Sequence, residues 1–582
     1  MIWAYVASSA GCYTANVATT LGIVQLLTRS KIAALCLQQV VAQLPNSTKG
    51  RSVLYIFAIW PALSVMRIMP MERQMFSISK VAWPHVLTDP TTLNPQHPIE
   101  ELILEARRHF ARLQSQQSKT LRSATKEYQR RYAREPPPGF DKWFSYAMAA
   151  QSPLVDDFDM INESLKPFWK VDPHRLLENI NYVTTVDDAF LRKCGFANGR
   201  YKGGSNDWLV NDLGKLFHKV SDSIPKVDFV LNLLDEPRTI TTWHKLDAYN
   251  TSSRSFENAN HRSIWDITSS PCLAASAVEF SPTIFDYGLP FVQDMEHAKD
   301  ICSHPEFELM YGLFSSPMTG LTTTAPVPIL SQAAPSTFGD IVYPSPWYAD
   351  KMDQEDYKEV EDPLWDDKAD ELYWAGSTTG SYSWNSSWQN SHRQRFVKLV
   401  KSIDSTTHKY LKQSHHGEWT SYNAVEDHSS LFDVKFTAVL QCDDRDCEEQ
   451  KMFFDPGERE ERGRQFRSRF VFDIDGNSFS GRYYTLLQSK SAVLKQTILR
   501  EWHDERLVPW VHYIPISLSM DELPEIMRYM TSHEDGKKRA REIANAGREW
   551  YRKALRKEDF TIYLYRLMLE LARVLDPNRE VE

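Results

Sequence analysis

Three stretches of this chain place ionisable or small residues where an apolar run gives out. In Val227-Asp-Phe-Val-Leu-Asn-Leu-Leu-Asp235-Glu-Pro-Arg238, strand-forming residues end at a carboxylate, and Pro237 prevents the strand from continuing. A carboxylate there could accept the proton of an attacking hydroxyl from about 3 Å away. The simpler reading of an aspartate ahead of a proline is a turn residue. In the second stretch, Glu371-Leu-Tyr-Trp-Ala-Gly376-Ser377-Thr378-Thr379-Gly380 precedes a helical run with His392-Arg393-Gln394-Arg395. Small residues let backbone approach an anion, and N–H groups at a helix start favour negative charge; a Gly/Ser turn would look the same. The third stretch runs Arg469-Phe-Val-Phe-Asp-Ile-Asp475-Gly476-Asn-Ser-Phe-Ser480-Gly481-Arg482-Tyr-Tyr-Thr-Leu-Leu. Strand, Gly/Ser loop and helix follow in order, and Arg482 at the helix start can fork two hydrogen bonds onto a phosphate. This is the strongest phosphate-binding candidate in the chain. It is neither a Walker loop nor GxGxxG, and it does not match the GxSxG nucleophile elbow.

Ligands of open α/β sheets sit at the carboxyl ends of strands, so the three stretches need α/β layers to hold them. The rest of the sequence is consistent with that. Ile99, Leu102, Ile103, Ala106, Phe110 and Leu113 form a helical stripe within 99–134, which stops at Pro136-Pro137-Pro138-Gly139. A second stripe of Leu564, Leu567, Met568, Leu571, Ala572 and Leu575 makes the C-terminus helical, with Asp559 able to cap its start. The first 75 residues differ: Ile2–Thr28 and Ile32–Thr48 carry no charge, and Ser52–Met66 is strongly apolar. Lys49 and Arg51 precede that last run, which predicts a membrane anchor with a cytosolic N-terminus.

With 582 residues, 42% hydrophobic and 25% charged, the chain is globular and long enough for more than one domain. A net charge of −9 leaves no basic surface for a nucleic acid, so none is expected as a partner. The seven cysteines fit no zinc pattern, and no metal is expected. Cys442 and Cys447 bracket an acidic loop and could pair in an oxidising lumen or remain free thiols. Sequons at Asn46, Asn162, Asn250 and Asn385 would accept glycans on the secretory route.

Several motifs in order resemble one family. Arg130-Arg131-Tyr132 leading to Pro136-Pro-Pro-Gly139-Phe140-Asp141-Lys142-Trp143, then Asp156-Asp-Phe-Asp159, is similar to fungal CAP10-domain proteins. Leu507-Val-Pro509-Trp510-Val-His512-Tyr513-Ile-Pro515 looks like that family's most distinctive block, shared with animal protein O-glucosyltransferases. The resemblance runs from about residue 98 to the C-terminus. It implies a GT-B-like α/β fold, with two Rossmann-type lobes facing a cleft, and an inverting transfer that uses a UDP-sugar as co-substrate and no metal or other cofactor. The family's catalytic base falls on Asp235 of Asn232-Leu-Leu-Asp235-Glu-Pro237, and its diphosphate arginine on Arg482 of Ser480-Gly481-Arg482. Gly376, Ser377 and Thr378 belong to the donor side, with Glu501 at the ribose position and Arg393 as a phosphate or structural residue.

The implied layout is an apolar anchor over 1–75, a helical stem over 76–175, and an acceptor-side lobe with the base over 176–345. A UDP-sugar lobe over 346–550 and a C-terminal helix over 551–582 complete it. The acceptor would be a glycan or glycoprotein, and the enzyme a type II protein of the Golgi or ER membrane with its catalytic part lumenal. Relatives carry an arginine before the Gly-Ser of the second stretch, where this chain has Ala375; Arg393 or Arg395 could stand in. The same departure supports the alternative, a non-catalytic Golgi scaffold or glycan-binding protein. Asp473-Ile-Asp475 has the spacing of a metal-binding DxD, and both are read as loop acids.

Overall fold

The Asn198-Gly199 pair decides the direction of the first sheet. Both residues take positive φ, 53° and 67°, as a two-residue turn needs if its twist is to suit antiparallel strands. In a computed structural model describing residues 96–204, 206–240, 255–273, 280–354 and 356–581, β1 (Leu191–Ala197) and β2 (Arg200–Lys202) pair antiparallel across that turn. β3 (Val227–Asn232) lies antiparallel on the other edge of β1. A small ribbon joins β4 (Glu257–Asn258) to β5 (Leu321–Thr322). β6 (Ile329–Ser331) and β7 (Ile341–Val342) then extend the sheet in parallel, for an order of β2-β1-β3-β6-β7.

The second five-stranded sheet is parallel throughout. It comprises β8 (Ala369–Ser377), β11 (Phe432–Ala438), β12 (Ser468–Ile474), β13 (Ala492–Gln496) and β14 (Ile514–Ile516), ordered β11-β8-β12-β13-β14. A hairpin of β9 (His408–Gln413) and β10 (Trp419–Ala424) stands apart from it. Phe470-Val471-Phe472 and Ala492-Val493-Leu494 are all buried, as a sheet covered on both faces requires. The expected pair of Rossmann-type lobes is therefore corrected. The chain is mixed α/β with several sheets, and the first is mixed in direction because a tight hairpin, which cannot join parallel strands, opens it. The anchor expected over 1–75 lies outside the described residues. Among those described, no helix is long and apolar enough to cross a membrane.

The 99–134 stretch is two helices, Pro98–Gln116 and Leu121–Tyr132. The break comes at Thr120, whose hydroxyl caps the second helix through Ser123 N at 3.2 Å. Ile99, Leu102 and Ile103 are buried, and Phe110 meets His512 and Trp550 edge-on at 4.5 and 4.8 Å. The Lys557–Val574 helix is buried on every face, not along one stripe, and Asp559 accepts from Arg556 N at its start. Its interior charges are paired, Arg566 to Glu570 at 3.0 Å, with the Arg566 guanidinium lying against Trp143 and Phe140. Each apolar side chain so buried contributes about 1.5–3 kcal/mol, which makes this helix a central support of the first sheet's core. A separate core surrounds the parallel sheet.

Two buried glutamates and the half-buried Glu505 give the fold a pH dependence of definite sign. Glu505 accepts from Met160 N at 2.6 Å while its other oxygen is buried without a partner, and burial pushes its carboxyl up to about 8. Burial likewise raises Glu501 and Glu522 to about 7. In the unfolded chain these groups have already lost their protons at pH 6.5, so between pH 6.5 and 8.5 the folded state holds more protons on them and their contribution to stability falls as pH rises. The buried His392 and His512 are lowered to about 3 by burial and pull the other way until the unfolded imidazoles have lost their protons, by about pH 7.5, so the fall is clearest above that. Each titrating group moves stability by at most about 1.4 kcal/mol per pH unit. The melting temperature should therefore drop across pH 7.5–8.5, with a shallower slope for Glu505→Gln. An unchanged or rising melting temperature would contradict this.

Candidate active site

Asp235 sits three residues past β3, in a turn over-determined by its neighbours. The fully buried Asn232 donates to Glu236 O at 2.8 Å and Ser331 Oγ at 3.0 Å, and it accepts from Leu234 N and Arg238 Nε. Glu236 turns away from Asp235 and accepts from the backbone N–H groups of Met318, Thr319 and Gly320 at 2.6–2.9 Å. Asp340 accepts from the N–H groups of Arg238 and Thr239 beyond the proline. Asp235 is left as the one carboxylate of the turn that opens to solvent. Surrounding protein still desolvates it enough to raise its carboxyl above the usual range, and a hydrogen bond from the Asn477 side chain opposes the rise.

That contact joins the two sheets. Asn477 belongs to the loop between β12 and the short Tyr483–Gln488 helix, and its Oδ1 accepts from Gly380 N at 3.1 Å. The three stretches picked out in the sequence therefore meet at one point: Asp235 after β3, Gly380 after β8 and Asn477 after β12. Gly380 takes φ +125°, and a Cβ there would lie 2.7 Å from His392 Cε1, so a larger residue would push the loops apart. Arg393 fastens the second and third stretches together. Its Nε donates to Asp475 O at 2.7 Å, and its remaining nitrogens donate to Ser377 O, Thr379 Oγ1 and Ile474 O. Burial together with the nearby Arg482 charge lowers Arg393 to about 10.

Two adjoining cavities open beside this junction. One, of about 350 Å³, is lined by Trp347, Arg393, Ser480, Gly481 and Arg482; the other, of about 420 Å³, by Ala375, Gly376, Ser377 and Arg482. Arg459, Arg462 and Gln465 border both. Arg482 immediately precedes the Tyr483–Gln488 helix and donates to Ala375 O at 2.8 Å. Gly481 lies against the Trp347 indole so closely that a side chain would collide with it. Thr378 is behind the wall, laced to Leu440 through its hydroxyl at 2.8 and 2.9 Å. Glu501 is also behind it and fully buried, accepting from Tyr348 OH at 2.7 Å; the same hydroxyl reaches Ser480 O at 3.2 Å. The structure thus brings Gly376, Ser377, Arg393, Ser480 and Arg482 to one groove and sets Thr378 and Glu501 one layer deeper.

Two expectations are corrected. Asp473 is not a loop acid, since it lies inside β12; Asp475 does open the loop after that strand, but both carboxylates are fully buried. Lys495 reaches Asp473 at 2.8 Å and Tyr311 OH donates to Asp475 at 2.8 Å, so the carboxylates turn inward to internal partners. Neither Arg393 nor Arg395 stands in for an arginine at 375, since Arg395 donates to Leu518 O at 2.8 Å and Arg393 is occupied as described. Asn477, Trp347, Arg459 and Arg462 went unselected in the sequence. Only Asn477 had a local signal, its place in the Gly476–Gly481 loop. The Cys442–Cys447 pair is bonded, as is Cys272–Cys302, whose wide separation has no signature.

Residues 301–582 match the family model described as Glycosyl transferase family 90. The matched part contains every groove residue above and excludes Asp235. Over 260 residues the chain is 24% identical to Uncharacterized protein 035R of Invertebrate iridescent virus 3, covering 42% of this chain and 21% of that protein. It is 29% identical to human Protein O-glucosyltransferase 1 over 113 residues, 19% and 28% of the two chains. The O-glucosyltransferase rumi homolog of Aedes aegypti is 30% identical over 112 residues, 18% and 27% of the two. The chain spans between a fifth and three tenths of the length of these curated relatives. Together, the family match over 301–582 and the similarity to O-glucosyltransferases support a glycosyltransferase family for this chain.

Proposed function

We propose that this chain is an inverting glycosyltransferase that moves a sugar, xylose or glucose, from a UDP-sugar to a hydroxyl of a glycan or glycoprotein. The observation that carries the reading is the convergence of Asp235, Gly380 and Asn477 beside a groove containing Arg482. The acceptor oxygen would form its bond to the anomeric carbon as the bond from that carbon to the UDP oxygen breaks. Asp235 would take the hydroxyl proton, and Arg482 would stabilise the charge gathering on the departing diphosphate. Incubating the purified protein with a panel of UDP-sugars and an acceptor should release UDP with the xylose or glucose donor. Silence across the panel would overturn the reading.

The reaction is proposed to need no metal, because cationic side chains supply the charge at the groove while Asp473 and Asp475 turn inward. EDTA should leave UDP release within about twofold of the untreated rate. A loss that Mn²⁺ restores would overturn this. The lumen of the secretory pathway is proposed as the setting, since two disulfides suit an oxidising compartment and Asn385 of a sequon is exposed. In sealed microsomes the protein should resist added protease until detergent is present.

A further inference from the structure

We infer that Arg459 is a second phosphate-binding guanidinium of the groove, meeting the diphosphate of the donor together with Arg482; this rests on the UDP-sugar reading above. The cations bordering the two cavities divide by how they are engaged. Arg462 pairs with Asp356 at 2.7 Å, and Lys351 reaches the same carboxylate at 3.4 Å. Arg393 spends its nitrogens on backbone and Thr379. Arg482 has one hydrogen bond, to a carbonyl. Arg459 has no hydrogen bond or ion pair among the described residues, yet it borders both cavities together with Arg482.

An unpaired surface arginine is unremarkable when its backbone is free to move. The chain on both sides of this one is anchored, by a backbone bond before it and by side-chain bonds after it. Gly457 N donates to Phe436 O at 2.9 Å, tying the loop to β11. Glu460 accepts from Tyr373 OH at 2.7 Å and from Lys435 at 2.9 Å, so the acid beside Arg459 is already neutralised from elsewhere. The loop therefore presents a guanidinium with its donors uncommitted at the border of the same two cavities that Arg482 lines. Two forks bordering one groove suit a diphosphate, which offers oxygens on two phosphorus atoms, better than a single carboxylate.

UDP binding by calorimetry at low salt tests this. Arg459→Ala should weaken the Kd for UDP about tenfold, as expected for loss of a charge-assisted contact at a partly exposed site. Arg459→Lys should recover part of that loss, because the charge remains without the fork. Arg445→Ala, on the exposed helix just before the loop and paired with Glu449, should bind like the unaltered chain. If unaltered protein and Arg459→Ala bind UDP equally well, this inference is wrong and the functional reading stands. If the unaltered protein binds no UDP, both fall. A tenfold loss that Lys does not recover would point to loop distortion and would also overturn the assignment.

Discussion

Asp235→Asn is expected to lower turnover by about 10²–10⁴ while the protein folds and binds UDP as before. That range is the usual worth of a general base in the transition state. The turn explains why the substitution should be so clean. Asn232, Glu236 and Asp340 hold the backbone through bonds that do not involve the Asp235 carboxylate, so replacing one oxygen by an amide nitrogen removes basicity without releasing the turn. The carboxyl is raised by desolvation, which makes it a better proton acceptor at neutral pH than an ordinary aspartate. Only the ionised form can act, so kcat/KM should decline as pH falls through that raised value. Product analysis by NMR should show the anomeric configuration opposite to the donor's. Wild-type turnover in Asp235→Asn, or retained configuration, would rule the mechanism out.

Arg482→Ala is expected to reduce kcat/KM for the donor by about 10²–10³, comparable to removing one preorganised donor from a developing anion. The guanidinium has five N–H groups and spends one on Ala375 O, leaving a fork for the diphosphate. Burial makes its positive charge less comfortable and lowers its pKa, a cost that an arriving anion would relieve. Because the contact strengthens as charge collects on the leaving UDP, kcat should fall along with donor affinity. Arg482→Lys should recover only part of the loss, since an ammonium cannot reproduce two parallel bonds. Full activity in Arg482→Ala would show that the phosphates bind elsewhere. The Asp235 and Arg482 variants should also separate in kind: the first spares UDP affinity and the second does not.

The chemistry-bearing stretches were visible in the sequence because their signals are local. An apolar strand ending at Asp235-Glu-Pro237, small residues over Gly376–Gly380, and strand, loop and helix over Arg469–Leu487 are each readable within about twenty residues or fewer, as sterics and backbone hydrogen bonding act over that range. The C-terminal helix was readable too, though its burial on all faces was not: Arg566 and Glu570 look like solvent residues until they are seen to neutralise each other. The Asn198-Gly199 hairpin was equally local and would have announced an antiparallel edge in the first sheet. What tertiary structure alone decided are the meetings between distant segments. Asp235 reaches Asn477, Lys495 turns Asp473 inward, Cys272 finds Cys302, and Arg459 comes to the groove from a charged loop without periodicity. Those pairings follow from how two sheets and their connecting loops pack, which depends on the fit of whole buried surfaces and leaves no mark in the spacing of the residues that touch.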